Sequence, residues 1–505
     1  MKYAKRKLTI ALVCCAGIVL AAFVSIFIVR HFGNSDAVPS PGERAFVDSW
    51  RNVARNPFPA EGALRGTGFA INVPCENPVL RRLTVENAGD AVLDNFWFHR
   101  EGAPNFYSVP TLIRTVTNED QSDSEKVIAL FELFRTHYEN FWPISPAGML
   151  DDPPTLLGSV GYGQCNLAAN AFELLCQSVG VETRRVTLGL VENGQRRIAH
   201  SVMEAYFDGG WHYFDPDGRV FYRLPDGTVA SVEHLKEDAS LIRAGSAPIG
   251  YVHEWYAAAF ERGGVHVYEP RRSLRRKTMY EDLDAFPEMY RQAMRYDLPP
   301  GMKLVLSRAP AEKFFVRGLG GVSDKSVVNG EVPPCAAGQV HWRISRASFE
   351  AGANVYSTGD ELLVAIGSPY VIAGGEVAAE TGDNGSSVGF LPFVFGSNYR
   401  HAFKDLALSP DGKPVNIGPE LPKANPVTGF ALKVSGRKKL RELRVTADIQ
   451  HNPRALPKLV AGENRFVLWA PWPCAFSVEN SPTRSVVETD NGLRICFEFE
   501  DETRP

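Results

Sequence analysis

The sequence predicts an α+β core followed by an all-β sandwich, the whole set behind an N-terminal transmembrane helix. Three observations predict it. Leu8 to Val29 is an uncharged run long enough to cross a bilayer core of ~30 Å as a helix. Two helical patterns, at 122–138 and 165–180, lead into strand-like segments ending near Asp215. From about 298 to the end, short alternating segments are punctuated by Gly, Pro, Asn and Asp, the mark of a sandwich.

The N-terminal run follows "MKYAKRK", whose four cations favour a cytoplasmic N-terminus. The expectation is a signal anchor within 1–34, membrane contact through residues 8–29, and a periplasmic or extracellular bulk. The run exceeds the ~7–15 residues of a signal-peptide apolar region; the alternative is a long cleaved signal ending near "SDA" at 35–37. Residues 35–70 read as a linker and 71–110 as a small β unit. Residues 111–232 form the core, 233–297 a charged helical connector, and 298–505 one or more sandwich domains.

Net charge is −4, which argues against a nucleic-acid partner. Eight cysteines occur, with no CxxC pair, and "HEWYAA" at 253–258 lacks the second histidine of a zinc-binding HExxH. No metal and no cofactor are expected. "DDPP" and "EDLD" lack the ligand spacing of a calcium loop. Outside the membrane, Cys474 and Cys496 are candidates for a disulfide. "RRSLRRK" at 271–277 reads as a solvated cationic face rather than a lipid site.

Within the core, Ser122 and Glu125 fit a capping box. Val127, Leu130, Phe131, Phe134 and Tyr138 follow at helical spacing as a buried stripe. A Pro/Gly-rich loop then delivers the chain to Cys165, with Gly180 as the stop of the next helix. A thiol at a helix N-terminus meets the positive end of the macrodipole, a setting that favours thiolate, and its own amide can serve an oxyanion hole. Cys176, three turns on, reads as core. His200 opens a strand, and Asp215 ends the following one just before Pro216. An imidazole beside a thiol accepts its proton, and a carboxylate behind the ring fixes its tautomer.

The blocks "YGQC" before a helix, "HSVMEAY" and "GGWHYFDPD" resemble the three motif blocks of the transglutaminase-like superfamily, over about 122–222. The resemblance implies a papain-like α+β core with Cys165 as nucleophile, His200 as base and Asp215 as orienting acid. It also suggests Gln164 or Trp142 as oxyanion-side residues. One difficulty stands in the spacing. A hairpin loop at Gly209-Gly210 sets Asp215 opposite Glu204, leaving His200 four residues, ~13 Å, further along; Asp208 and Asp217 therefore remain alternatives. His212 reads as a surface residue or a neighbour of the site.

The function expected is a membrane-anchored thiol enzyme that hydrolyses or transfers an amide or peptide acyl group. Its partners would be a polypeptide or amide substrate and, secondarily, envelope glycan. The alternative is a catalytically silent envelope module that binds or assembles.

Overall fold

The computed structural model describes residues 64–141, 152–192, 195–245, 252–270, 294–316, 321–323, 334–345, 355–381, 387–394, 403–407, 412–422 and 427–502. The anchor at 8–29, Trp142 and the basic run 271–277 lie outside them. Among the described residues no helix is long and apolar enough to cross a membrane.

The core begins with the helix Asp123–His137. Ser122 and Glu125 cap it reciprocally, and Val127, Leu130, Phe131 and Phe134 are buried along one face. A short buried π-helical turn, Thr155–Val160, leads to Gly161 in the left-handed region (φ 80°). Four residues later the chain enters the helix Cys165–Ser178. That helix ends at Gly180 (φ 85°) in a Schellman arrangement, Val181 N–H donating to the Cys176 carbonyl and Gly180 N–H to that of Gln177. Phe131, Phe172 and Phe214 form a buried triangle with ring centroids 5.4–5.6 Å apart. One ring comes from each helix and one from the strand Gly210–Phe214, so aromatic packing locks the thiol helix to the sheet.

That sheet is antiparallel: Gly210–Phe214, Gln195–Phe207, Glu182–Glu192 and Val265–Val267, in that order. The segment expected as a helical connector contributes to this unit. Val265–Val267 is the sheet's fourth strand, and Tyr256, Ala257 and Phe260 of the helix Val252–Glu261 share a buried cluster with Val186, Leu188 and Val202 of its strands.

The remainder is the β-rich region, a thirteen-stranded sheet facing a four-stranded one. Phe466 of the smaller sheet and Phe497 of the larger pack at 4.9 Å between them. The strands of 71–110 are not a separate unit. Pro78–Asn87 pairs with Leu493–Asp501, and Leu93–Arg100 pairs with Gly462–Ala470. The strand Arg65–Val73, which begins inside the expected linker, also pairs with Gly462–Ala470. Residues 65–100 and 462–501 are thus woven together. Cys474 and Cys496 are free. The strand Arg484–Thr489 runs between the hairpin strand after Cys474 and the strand of Cys496, and two strand spacings, ~10 Å, exceed a disulfide's reach.

Candidate active site

The thiol of Cys165 occupies the first position of its helix and is partly exposed, whereas Cys176 is fully buried in the core. Burial pushes the Cys176 thiol well above its ordinary value, with the nearby Glu173 charge adding to the effect. Gln164 stands at the N-cap without a side-chain bond to the helix. The first-turn amides, including that of Cys165, therefore have no intrahelical acceptor.

The hairpin turn decides which carboxylate meets His200. It lies at Asp208–Gly209, with φ of 49° and 79°, the positive pair that a two-residue type I′ turn requires and that Asp-Gly supplies. Phe207 then pairs with Gly210 and Met203 with Phe214. Continuing that register sets Asp215 opposite Val202, on the same face as His200 and one diagonal step away. His200 Nε2 lies 2.9 Å from Asp215 Oδ2. Asp208, at the turn, is eight residues along the strand from His200, ~25 Å, and takes no part.

After Asp215 the chain makes a tight turn, Pro216 to Arg219, closed by reciprocal backbone bonds between Asp215 and Val220. Arg219 adopts φ 55°, and Gly218 N–H donates to Asp215 Oδ1 (2.8 Å). A Cβ at Gly218 would stand 2.6 Å from Asp215 Oδ2, so the absent side chain makes room for the carboxylate. The same turn carries Asp217, whose Oδ2 is 3.9 Å from His200 Nδ1. The ring thus has a buried carboxylate on each side. Asp217 accepts from the Tyr138 hydroxyl (2.8 Å) and from Asn140 Nδ2 (2.6 Å). Burial pushes its carboxyl up to about 6, against the opposing pull of the His200 charge.

The Cys165 sulfur, a His200 ring nitrogen and an Asp217 carboxylate oxygen all lie within 4.8 Å of one another. Because Nε2 faces Asp215, Nδ1 is the nitrogen left for the thiol. Burial opposes the charged form of His200, but the charge and hydrogen bond of Asp215 outweigh it and raise the ring well above its ordinary value. Thiol, imidazole and carboxylate are also donors that a thiophilic divalent ion takes. Asp217, however, already spends one oxygen on Tyr138 and the other on Asn140.

Three neighbours were not assigned to the site from sequence. Tyr256, from the helix Val252–Glu261, places its hydroxyl 2.5 Å from both His200 Nε2 and Asp215 Oδ2 and stacks its ring on the imidazole at 5.1 Å. Nothing in "HEWYAA" but its aromatic character could have marked it. Tyr138 is buried as the helical stripe requires, yet its hydroxyl serves Asp217. Asn140 reaches the same carboxylate from the two-residue strand Glu139–Asn140, paired in parallel with Tyr162–Gly163.

Two motif residues do structural work. Glu204, fully buried, pairs with Arg184 on the adjacent strand (2.6 Å) and accepts from the Val232 amide (2.7 Å), tying a helix N-terminus to the sheet. His212 is buried rather than at the surface. Its ring stacks on Phe207 at 3.9 Å and faces the Val229 and Phe207 carbonyls, away from the thiol site because its strand parity is opposite to that of Asp215.

Residues 110–216 match the family model described as the transglutaminase-like superfamily. The chain therefore carries a transglutaminase-like domain over about a fifth of its length. Tyr256 and Asp217 lie beyond the matched segment. No curated protein matches the chain.

Proposed function

We propose that this transglutaminase-like domain is a thiol enzyme acting on an amide or peptide carbonyl, in a protein anchored to a membrane through residues 8–29 with its bulk outside the cytoplasm. Cys165 is the nucleophile, His200 the base and then acid, and Asp215 the group that orients the ring. Cys165 gives its proton to His200 Nδ1, and the sulfur adds to the carbonyl carbon. The resulting oxyanion is met by the Cys165 amide, with the Gln164 side chain beside it. As the tetrahedral species collapses, the C–N bond breaks, His200 returns its proton to the leaving amine, and a thioester remains. Water activated by His200 then cleaves the thioester to a carboxylic acid. An amine in place of water would give transfer; hydrolysis is the expected outcome, because water needs no binding channel of its own.

One observation carries this reading: the imidazole between Cys165 and Asp215 has its far nitrogen tied to a buried carboxylate, so its near nitrogen is free to accept a proton. Iodoacetamide labelling with peptide mapping tests it. Cys165 in the full chain should alkylate at neutral pH at least tenfold faster than Cys176, and His200→Ala should remove that advantage. Equal, slow labelling of the two would refute the enzymatic reading and leave the silent module.

A further inference from the structure

Away from the thiol, a cavity of about 550 Å³ opens where the strand Leu93–Arg100, the end of the helix Asp123–His137 and the segment 451–458 converge. Its size is that of a small-molecule site. Trp97, Phe106 and Tyr296 form part of its wall, and Trp97 and Tyr296 lie nearly parallel at 4.8 Å. Three cations line it, Arg100, Arg454 and Lys458, and no Asp or Glu does. In a chain with more acidic than basic residues, a lining of one sign sets this cavity apart from the average surface. Arg454 is paired with Glu139, but Arg100 and Lys458 have no ion-pair partner among the described residues. Two of the lining histidines, His99 and His451, are held neutral by burial, so the fixed positive charge comes from the arginines and the lysine.

We infer that this cavity is a binding site for a small organic anion with a planar, apolar body, the body lying against Trp97, Phe106 and Tyr296 and the anionic group meeting Arg100 and Lys458. Aromatic walls and unpaired cations together favour such a molecule over a neutral aromatic, which gains only the wall, and over inorganic phosphate, which gains only the charge. The site is separate from the triad. It does share a wall with the triad's scaffold, since Asn452 lines it and hydrogen-bonds the turn that precedes Cys165.

Calorimetric titration of the full chain with 1-naphthalenesulfonate, and in parallel with neutral 1-naphthalenemethanol, tests the inference without reference to catalysis. The sulfonate should bind once per chain, at least tenfold tighter than the alcohol, and more weakly as salt rises. Lys458→Glu, an exposed substitution that leaves the fold intact, should weaken the sulfonate about tenfold, and Arg100→Ala should weaken it further. Cys165→Ala should bind as the parent does. Absence of saturable sulfonate binding, equal affinity for the two probes, or indifference to Lys458→Glu would each overturn the assignment.

Discussion

Asp217 lies 3.9 Å from Nδ1 of His200, on the opposite side of the ring from Asp215. Its carboxyl is raised to about 6, so it is protonated below that pH and becomes an anion beside the imidazole above it. The anion favours imidazolium and hence the thiolate partner, but it also repels the sulfur anion within 4.8 Å of it, so only part of the attraction reaches the thiol. The rate of Cys165 alkylation should therefore climb roughly tenfold through an inflection near pH 6. Asp217→Asn should remove the inflection, and an unchanged pH profile in that variant would exclude Asp217 from the site's electrostatics.

Tyr256 donates to Asp215 Oδ2 while its oxygen sits at Nε2 of His200. With the tyrosine proton spent on the carboxylate, Nε2 carries a hydrogen in both the neutral and the charged ring, so Nδ1 is the nitrogen that exchanges a proton with the thiol. Tyr256→Phe keeps the stacked ring and removes this constraint. Hydrogen bonds to charged groups contribute ~1.5–3 kcal/mol, so labelling of Cys165 should slow about tenfold or more with little change in thermal midpoint. A midpoint drop that accounts for the slowing would reduce Tyr256 to packing.

Asp152 should make stability fall with pH. Burial pushes its carboxyl up to about 7, although Thr155 supplies two hydrogen bonds to one oxygen; the other oxygen has no partner. A carboxyl raised on folding contributes stability that is present below its unfolded value near 4 and lost as pH rises through about 7. The loss is on the order of 4 kcal/mol between those limits. Thermal melts from pH 5 to 8.5 should show the decline, and Asp152→Asn should flatten it.

Asn452 donates to the Leu157 carbonyl (2.6 Å) and the His137 carbonyl (2.8 Å). Asn452→Ala strands both acceptors at a cost of about 2–4 kcal/mol. A Cβ at Gly161 would lie only 2.3 Å from the Asn452 side chain, so the amide also backs the turn that sets Cys165. Denaturant titration should register the loss, and Cys165 labelling should slow with it. Unaltered stability would show that water replaces the amide.

Local chemistry made much of this legible in sequence. The capping box at Ser122, the glycine stop at Gly180 and the β punctuation after 298 each depend on neighbours a few residues away. The blocks around Cys165, His200 and Asp215 were visible for the same reason. The choice among Asp208, Asp215 and Asp217 turned on one residue of hairpin register, which Gly209-Gly210 and Asp208-Gly209 turns satisfy almost equally in sequence. Tyr256, Asn140 and the union of 65–100 with 462–501 depend on contacts between distant parts of the chain, and no periodicity reports those. His212 shows the converse: a histidine on an aromatic strand three residues before Asp215 reads as surface or as a neighbour of the site, but parity sends its ring into the core.

The pairing of Arg65–Val73 with Gly462–Ala470, and the reach of Asn452 to the turn before Cys165, bear on how the protein is made. A chain emerging from the ribosome holds its thiol, imidazole and both carboxylates long before it holds the strands that support them. Until residues 462–501 have been synthesised, the strands within 65–100 lack the partners they pair with in the folded protein. The turn that sets Cys165 therefore gains its Asn452 support only after the segment that carries that residue has been made.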